Sequence, residues 1–230
     1  MKDTIVIALG GSIIVSDKIN TGFLGDFREF ILKFLKDGKK FIIVTGGGKI
    51  ARDYQNAASE IIDLSDEDKD WLGIHATRLN GHLLRAIFFD IAHPVVLDDP
   101  TKKIDNESDY NLFIASGWRP GWSTDYVAAL LTKRFGAKRL IIATKISHVY
   151  DDDIEKNINA KPLESITWAD YRNMVGDAWI PGMKSPVDPV AAKFCEENGI
   201  EAVVAKGTEL ENLGNVVRGE SFTGTTIRNF

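Results

Sequence analysis

The sequence predicts an α/β fold built on a mainly parallel β-sheet. Short runs rich in β-branched residues alternate along the chain with longer amphipathic segments of helical spacing. This alternation is typical of βαβ units, in which a helix carries the chain back so that the next strand runs parallel to the last. The chain has 230 residues, 44% of them hydrophobic and 27% charged, which is the composition of an ordinary globular protein with one well-filled core.

The individual elements can be placed in order along the chain. Short apolar runs predict strands at TIVIAL (4–9), FIIVT (41–45), PVV (94–96), LFIAS (112–116), RLIIAT (139–144) and AVVAK (202–206). Helical spacing predicts helices at about 23–36, 48–62, 70–89, 123–134 and 163–174. A further helix is bounded by Asp188-Pro189, an N-cap and a first-turn proline, and by Asn198-Gly199 at its end. The stretch at 115–122 is rich in Gly, Pro and Trp, which predicts a boundary between two lobes there.

Composition narrows the classes of function. The net charge is only −5, from 28 basic and 33 acidic residues spread along the chain, so no basic stripe points to nucleic acid or to a membrane surface. The single cysteine, Cys195, cannot form an internal disulfide, and no Cys/His spacing resembles a zinc site. Asp3 and Gly10-Gly11 interrupt the apolar N-terminal run, which favours a first strand over a signal peptide. We expect a small-molecule partner and a reducing, cytoplasmic location.

Two predicted strands end directly in glycine clusters, Gly10-Gly11-Ser12 and Gly46-Gly47-Gly48. Adjacent glycines let the backbone approach a phosphate closely, and the N–H groups at the start of the following helix point toward it. A single pair would favour a plain tight turn. Two clusters at equivalent strand ends favour an anion site.

Two other phosphate-binding architectures fit the sequence less well. Gly46-x-Gly48-x-x-Ala51 after a strand satisfies the dinucleotide-binding fingerprint, but that motif also requires a second strand with an acidic residue about 20 positions later. Residues 60–70, EIIDLSDEDKD, are too acidic for a buried strand. The GxxxxGK[ST] phosphate loop is absent from the sequence.

Side chains on the two helices after the second glycine cluster could complete such a site. Arg52 lies one turn into its helix and could grip two phosphate oxygens, although a solvated surface arginine is the plain alternative. Asp70, Gly73, Thr77 and Asn80 form one polar stripe with a gap at the glycine, against which a ribose or base could lie. A solvated helix face is the alternative for this stripe.

Seven short blocks carry a resemblance to a known family. They are ALGGS (8–12), TGGGKIARDY (45–54), DWLGIHATRLNG (70–81), RPGWSTDYVAALL (119–131), ATKISHVYDDD (143–153), DPVAAK (188–193) and GTTI (224–227). In order and spacing they resemble the successive blocks of the uridylate kinases in the amino acid kinase family, in the archaeal rather than the bacterial form. The similarity covers nearly the whole chain, and it implies transfer of a phosphoryl group from ATP to UMP.

The resemblance also implies two sets of binding residues. The UMP site is implied to include Gly46, Gly47, Gly48, Arg52, Asp70, Gly73, Thr77, Ser116, Gly117, Ser123 and Thr124. The ATP site is implied to include Gly10, Gly11, Ser12, Thr144, Tyr150, Asp153 and Lys184. Within these sets Asp70 would meet the ribose hydroxyls, and Tyr150 would pack against adenine.

Phosphoryl transfer needs alignment, Mg²⁺ and positive charge on the migrating group more than covalent help from the protein. Arg52, Lys145 and Lys184 are candidates for that charge. Asp125 and Asp188 are candidates for organising Mg²⁺ or the lysines. Their alternative roles are a first-turn carboxylate and an N-cap.

The family resemblance further implies a three-layer αβα sandwich formed by a single domain over residues 1–230. Its N-terminal lobe, about 1–118, would bind the acceptor and its C-terminal lobe, about 119–230, would bind ATP. Relatives of this kind are usually hexamers built from dimers, which implies a homo-oligomer.

The sequence departs from the family pattern at several positions. Ala8 stands where many members carry a lysine, and Ser147-His148 replaces an Asp-Gly pair in which glycine permits a positive φ. Trp118 and Trp122 flank the acceptor loop and could narrow the pocket. These departures leave two alternatives open, namely a non-catalytic nucleotide or oxyanion binder and an enzyme of the family with another acceptor.

Overall fold

The computed structural model describes residues 3–154, 156–176 and 185–229. The strands in these ranges are β1 (Thr4–Leu9), β2 (Lys40–Thr45), β3 (Leu112–Ala115), β4 (Arg139–Thr144), β5 (Val149–Tyr150), β6 (Pro162–Leu163), β7 (Ser165–Thr167), β8 (Glu201–Lys206) and β9 (Thr225–Arg228). The helices are α1 (Gly11–Ile14), α2 (Thr21–Lys36), α3 (Gly48–Ser59), α4 (Asp66–Ile87), α5 (Thr124–Arg134), α6 (Trp168–Val175), α7 (Pro189–Glu197) and α8 (Leu210–Arg218). The prediction of an α/β fold is confirmed.

One sheet runs through the molecule in the order β3-β2-β1-β4-β8-β9-β7. The pairs β1–β2, β1–β4, β2–β3 and β4–β8 are all parallel, so the mainly parallel sheet is also as predicted. At one side β9 pairs antiparallel with β8 and parallel with β7. The short strands β5 and β6 form a separate antiparallel pair.

The sheet is covered on both faces, which gives the three-layer sandwich. Along β1, Ile7 and Leu9 belong to a core with α2 and α8, in which Phe27 is fully buried. The alternate residues Val6 and Ala8 belong to a second core with α5, α6 and α7. Because side chains alternate between the faces of a strand, this division follows from the fully apolar strand sequences.

Local capping residues set the boundaries of two helices. Asp188 caps α7, its side chain accepting hydrogen bonds from the first turn, and Gly199 follows that helix with a φ of 62°. Helix α4 begins at Asp66, about four residues before the predicted start, because Ser65 caps it by accepting a hydrogen bond from the Asp68 N–H. The acidic residues that made 60–70 a poor strand favour the positive N-terminus of a helix.

Two predictions of secondary structure were wrong. Residues 94–96 are not a strand; only the neighbouring Leu97 forms an isolated bridge, with Ala115. The segment at 163–174 is not helical throughout, because residues 165–167 extend the sheet as β7 before α6 begins at Trp168. The strands β5, β6 and β9 and the helices α1 and α8 were not predicted.

Within the described ranges, no helix is both long enough and apolar enough to cross a membrane. Cys195 is a buried free thiol in the core on the α5, α6 and α7 side of the sheet.

Candidate active site

The two glycine-rich loops meet at the carboxyl ends of the central strands. The Gly10 N–H donates to the Ala143 carbonyl oxygen at 2.9 Å, and the Gly46 N–H donates to the Leu9 carbonyl oxygen at 2.9 Å. These bonds extend the parallel ladder into the loops. A Cβ on Gly11 would lie 2.1 Å from the Gly48 nitrogen. Only glycine permits this backbone-to-backbone contact.

A cavity of about 700 Å³ opens beside these loops. The predicted site residues that line it are Ser12, Gly47, Gly48, Arg52, Asp70, Gly73, Thr77, Gly117, Ser123, Thr124, Asp125, Thr144, Lys145, Asp153 and Asp188. They come from the loops after β1, β2, β3 and β4, from the N-terminal parts of α3 and α5, from the first three turns of α4, from the N-cap of α7 and from the turn after β5. The cavity therefore lies where open parallel sheets commonly bind ligands.

The other predicted residues lie elsewhere. Gly10, Gly11 and Gly46 form the loop backbones behind the cavity wall, and Ser116 is fully buried with its N–H bonded to the Leu97 carbonyl oxygen. Lys184 lies outside the described residues.

Tyr150, the predicted adenine contact, does not line the cavity. It pairs with Pro162 in the small β5–β6 ribbon, and its hydroxyl lies 3.3 Å from the Ser147 hydroxyl. The hydrogen-bonded ribbon, which sequence patterns did not predict, fixes the tyrosine in this position.

The N-terminus of α3 gives the cavity a positive end. The first N–H groups of a helix have no acceptor within the helix, and the helix dipole adds partial positive charge there. Arg52 is exposed, and no carboxylate among the described residues forms an ion pair with it. Its neighbour Lys49 differs, because its ammonium lies 2.7 Å from the Asp53 carboxylate. The arginine is thus available to an anion in the cavity.

Asp70 and Gly73, at the N-terminal end of the polar stripe on α4, border the cavity. Asp70 is half-buried, and its Oδ2 accepts a hydrogen bond from the Gly121 N–H at 2.7 Å. Burial raises the pKa of Asp70 above its usual value; the Gly121 bond lowers it, and the charge of Asp66 raises it. A Cβ on Gly73 would meet only the Gln55 side chain, at 3.2 Å, so that glycine leaves the expected gap.

Thr77 and Asn80, further along the stripe, hold the loops that contain Gly117 and Gly46. The Thr77 hydroxyl donates to the Ile74 carbonyl oxygen and accepts from the Gly117 N–H at 2.8 Å. The buried Asn80 amide donates to the Gly46 carbonyl oxygen at 2.8 Å. The interpretation of the whole stripe as a ligand surface was therefore wrong for Asn80, which fixes the glycine loop in place.

Two acidic residues meet in the cavity wall between α5 and α7. Asp188 Oδ1 accepts from the N–H groups of Val190 and Ala191 at 2.8 and 3.1 Å, and its Oδ2 accepts from the Ser123 hydroxyl. Asp188 is thus both the N-cap of α7 and a cavity residue. The N-cap role that its sequence position suggested is confirmed.

Asp125 has the most perturbed carboxylate of the site. Burial and, after it, the negative charge of Asp188 raise its pKa to about 8, against the opposing effect of a hydrogen bond from the Asp188 N–H. The pKa of Asp188 is also raised by burial, against the hydrogen bonds from Ser123 and its own helix. Negative charge in this wall is therefore costly without a cation nearby.

Several cavity residues were missed at the sequence level. They are Ala51, Gln55, Ile74, Ile146, Ile154, Ser185 and Pro186. Gln55 could have been found, because it follows Ala51 by one helical turn on the face that carries the glycine-loop site. Ile146 and Ile154 have aliphatic side chains, which do not indicate a ligand site in a sequence. Only the folded path of the chain brings them to the cavity.

Three of the positions that depart from the family pattern do not line this cavity. Ala8, Ser147 and His148 are absent from its wall as described. His148 also avoids the expected strain, because Asn106 is the only non-glycine residue with positive φ in the described ranges. Its Nδ1 instead lies 3.0 Å from the Ser147 hydroxyl.

Comparisons with known proteins agree with this geometry. The sequence model of the amino acid kinase family matches residues 3–206. The chain is 34% identical over 224 residues to a protein of Pyrococcus abyssi named uridylate kinase, covering 97% of this chain and 98% of that one. A uridylate kinase of Methanothrix thermoacetophila is also 34% identical, over 97% and 99% of the two chains.

Solved structures give the same result. The crystal structure of uridylate kinase from Archaeoglobus fulgidus matches with a TM-score of 0.81 and 31% identity, over 99% of this chain and 100% of that one. The UMP kinase of Bacillus anthracis has the same TM-score of 0.81 at 19% identity, over 99% of this chain and 96% of that one, and so shares the fold.

Proposed function

The chain belongs to the amino acid kinase family, and on that premise we propose that it transfers the γ-phosphoryl group of ATP to UMP, forming UDP and ADP. The observation that carries the proposal is the cavity at the strand ends, where the positive N-terminus of α3 and Arg52, which forms no ion pair with the described residues, line the same space as residues at the end of β4. Relatives named uridylate kinase match over nearly the whole chain, and their name is the basis for proposing UMP as the acceptor.

The UMP phosphate binds at the start of α3. Gly47 and Gly48 offer N–H groups at the positive end of the helix, and the guanidinium of Arg52 can hold two phosphate oxygens in its planar fork. Asp70 lies further along the cavity and accepts hydrogen bonds from the ribose hydroxyls. This acceptor end is built by the N-terminal lobe, about residues 1–118, with Ser123 and Thr124 from the loop beyond it.

ATP binds at the other end, in the C-terminal lobe of about residues 119–230. Ser12 after β1 and Thr144 and Lys145 after β4 border this end, together with Asp153. The described residues give Lys145 no carboxylate partner, so its charge can meet the phosphates. The Gly11–Gly48 contact fixes the two phosphate-binding loops against each other.

Transfer then depends on alignment and charge. The phosphate of UMP is already ionised at neutral pH and attacks the γ-phosphorus directly, so no general base is needed. Arg52 and Lys145 stabilise the negative charge on the migrating group and on its neighbours.

Asp125 and Asp188 fit a magnesium site. Their carboxylate oxygens are the ligands that Mg²⁺ prefers, and their raised pKa values favour a cation beside them. A bound Mg²⁺ supplies positive charge that neutralises the ATP phosphates. Since the oxygens of Asp188 are engaged by α7 and Ser123, Asp125 is the carboxylate proposed to face the ion or Lys145, and Asp188 holds Ser123 in place.

We also propose a cytoplasmic homo-oligomer. Tyr54, Ile61 and Leu79 on the adjoining helices α3 and α4, or directly after α3, are 65%, 87% and 59% exposed, which is costly in an isolated chain. Light scattering after size exclusion measures the number of subunits.

The experiment that tests the function is an assay of ADP formation. The protein is incubated with ATP, Mg²⁺ and one of UMP, CMP, AMP or GMP, and turnover with UMP is expected at a rate typical of enzymes, roughly 1–10³ per second. Turnover of a different acceptor would contradict the UMP assignment. An increase of the melting temperature by UMP without any turnover would favour a binding protein instead.

A further inference from the structure

Trp122 has surroundings that packing alone does not explain. It lines the cavity and is half-buried, but it is part of neither hydrophobic core. Trp118, four residues earlier in the same loop, packs against the core formed with α5, α6 and α7 and does not line the cavity. The two indoles therefore have different environments, and only Trp122 faces the ligand space.

The Trp122 ring is held in place before any ligand binds. Its centroid lies 4.3 Å from that of Tyr126 and 5.8 Å from that of Trp118. The Arg119 guanidinium lies 5.0 Å from the Trp122 ring and 4.3 Å from the Trp118 ring. A large flat surface fixed in this way can bind a ligand with little further loss of side-chain entropy.

The loop also places Trp122 on the acceptor side of the cavity. Gly121, the preceding residue, donates its N–H to Asp70 Oδ2 at 2.7 Å, and Arg78 of α4 donates to the Trp118 carbonyl oxygen at 3.3 Å. With the acceptor phosphate at Arg52 and its ribose at Asp70, the base is directed to the next part of the wall. Ile74, Gly117 and Trp122 line the cavity there.

We propose that the indole of Trp122 is the surface on which the base of the acceptor nucleotide stacks. The inference rests on the proposed function, because it takes a nucleoside monophosphate as the acceptor. A pyrimidine base has a flat π-face that matches an indole, and stacking contacts of this kind contribute substantially to nucleotide binding. Trp122 thus adds affinity at the base, separate from the charges that hold the phosphate.

The test compares two ligands on three variants. Calorimetric titration without ATP measures the Kd of UMP and the Kd of ribose 5-phosphate, which has the sugar and phosphate but no base. Trp122→Ala is expected to weaken UMP binding about 5- to 100-fold, the range of base–aromatic stacking, and to leave ribose 5-phosphate unchanged. Trp122→Phe keeps an aromatic face and should retain part of the affinity for UMP. Trp71→Phe on α4, outside the cavity wall, is the matched control and should change neither Kd.

Each outcome bears on the proposal. An equal loss of both ligands in Trp122→Ala would mean that the pocket had collapsed, and unchanged UMP binding would mean that the base lies elsewhere; either result overturns the stacking role. Trp122→Phe provides the same comparison if the alanine variant fails to fold. If the unaltered chain bound ribose 5-phosphate or another nucleotide but not UMP, both the stacking role and the UMP assignment would fail, whereas UMP binding that is insensitive to Trp122 leaves the proposed function intact.

Discussion

The hydroxyl of Tyr171 makes two hydrogen bonds to the backbone of Val187, donating to its carbonyl oxygen at 2.7 Å and accepting from its N–H at 2.8 Å. Both residues are fully buried. Val187 immediately precedes Asp188, so this contact from α6 fixes the approach to the cavity wall and to the N-cap of α7. Tyr171 is a positioning residue, because it acts on the site only through the backbone of its partner.

We predict that Tyr171→Phe lowers kcat at the proposed site as well as stability. Loss of the hydroxyl leaves the Val187 N–H and carbonyl oxygen buried without partners, which costs about 1–3 kcal/mol of the free energy of unfolding. The freed backbone also displaces Asp188 and, through its hydrogen bond, Ser123. Steady-state kinetics measured well below the melting temperature should show a lower kcat.

The matched control is Trp168→Phe on the same helix. The Trp168 indole donates to the Ile200 carbonyl oxygen at 2.9 Å and, among the described residues, forms no hydrogen bond with residues 185–188. This variant should lose stability without losing kcat. An equal fall of kcat in both variants would mean that Tyr171 acts only through general stability.

Arg52→Ala is predicted to raise the KM for UMP about 10- to 100-fold, the effect of losing a charge-assisted pair with a phosphate. The KM for ATP should stay the same, because the arginine lies at the acceptor end of the cavity. Lys49→Ala provides the comparison, since Lys49 carries the same charge on the same helix but pairs with Asp53 and does not line the cavity. Similar kinetics for the two variants would remove Arg52 from the acceptor site.

The sequence was sufficient to predict the parts of the site that depend on local chemistry. Glycine clusters after two apolar runs imply loops at one edge of a parallel sheet, because parallel strands end together. Gly10, Gly11 and Gly46 meet there as a result. Asp188 was identified as an N-cap from the proline that follows it, and the cap bonds are present.

Features that depend on contacts distant in sequence could not be predicted in this way. β9 completes the sheet through pairing with β8 and β7, and nothing in its four residues specifies those partners. Asn80 has the spacing of a ligand residue, yet its amide holds the glycine loop 34 positions away. Trp118 and Trp122 look equivalent in the sequence, and only the fold assigns one to the core and the other to the cavity.

Gly11→Ala is predicted to separate the two glycine loops. Its new Cβ would lie 2.1 Å from the Gly48 nitrogen and 2.4 Å from the Gly46 carbonyl carbon, and backbone atoms of a fixed loop cannot move aside cheaply. We expect a loss of about 3 kcal/mol or more in the free energy of unfolding, together with weaker binding of both nucleotides. In Gly25→Ala on α2 the added Cβ meets nothing within 4 Å, so that control should gain about 0.5–1 kcal/mol. Chemical denaturation measures both, and equal stability of the two variants would contradict the contact.

The raised pKa of Asp125 predicts a particular dependence of stability on pH. Because the folded state holds this proton up to about pH 8 and the unfolded state releases it near pH 4, the free energy of unfolding falls as the pH rises between these values. Asparagine has no proton to release, so the stability of Asp125→Asn relative to the unaltered chain should increase steadily across this window and be greatest at its alkaline end.

The control for this pH dependence is Asp152→Asn, for which the sign is reversed. Hydrogen bonds from Asn157 and the Asp153 N–H lower the pKa of the exposed Asp152. Its contribution to stability is therefore present at neutral pH and is lost as the pH falls through the acid range, so the asparagine variant should be less stable at pH 7 and approach the unaltered chain on acidification. Thermal unfolding of the three proteins from pH 3 to pH 8.5 measures both trends. A difference between Asp125→Asn and the unaltered chain that stays constant from pH 5 to pH 8.5 would show that the carboxylate is ionised throughout, with a cation or lysine already compensating its charge in the folded protein.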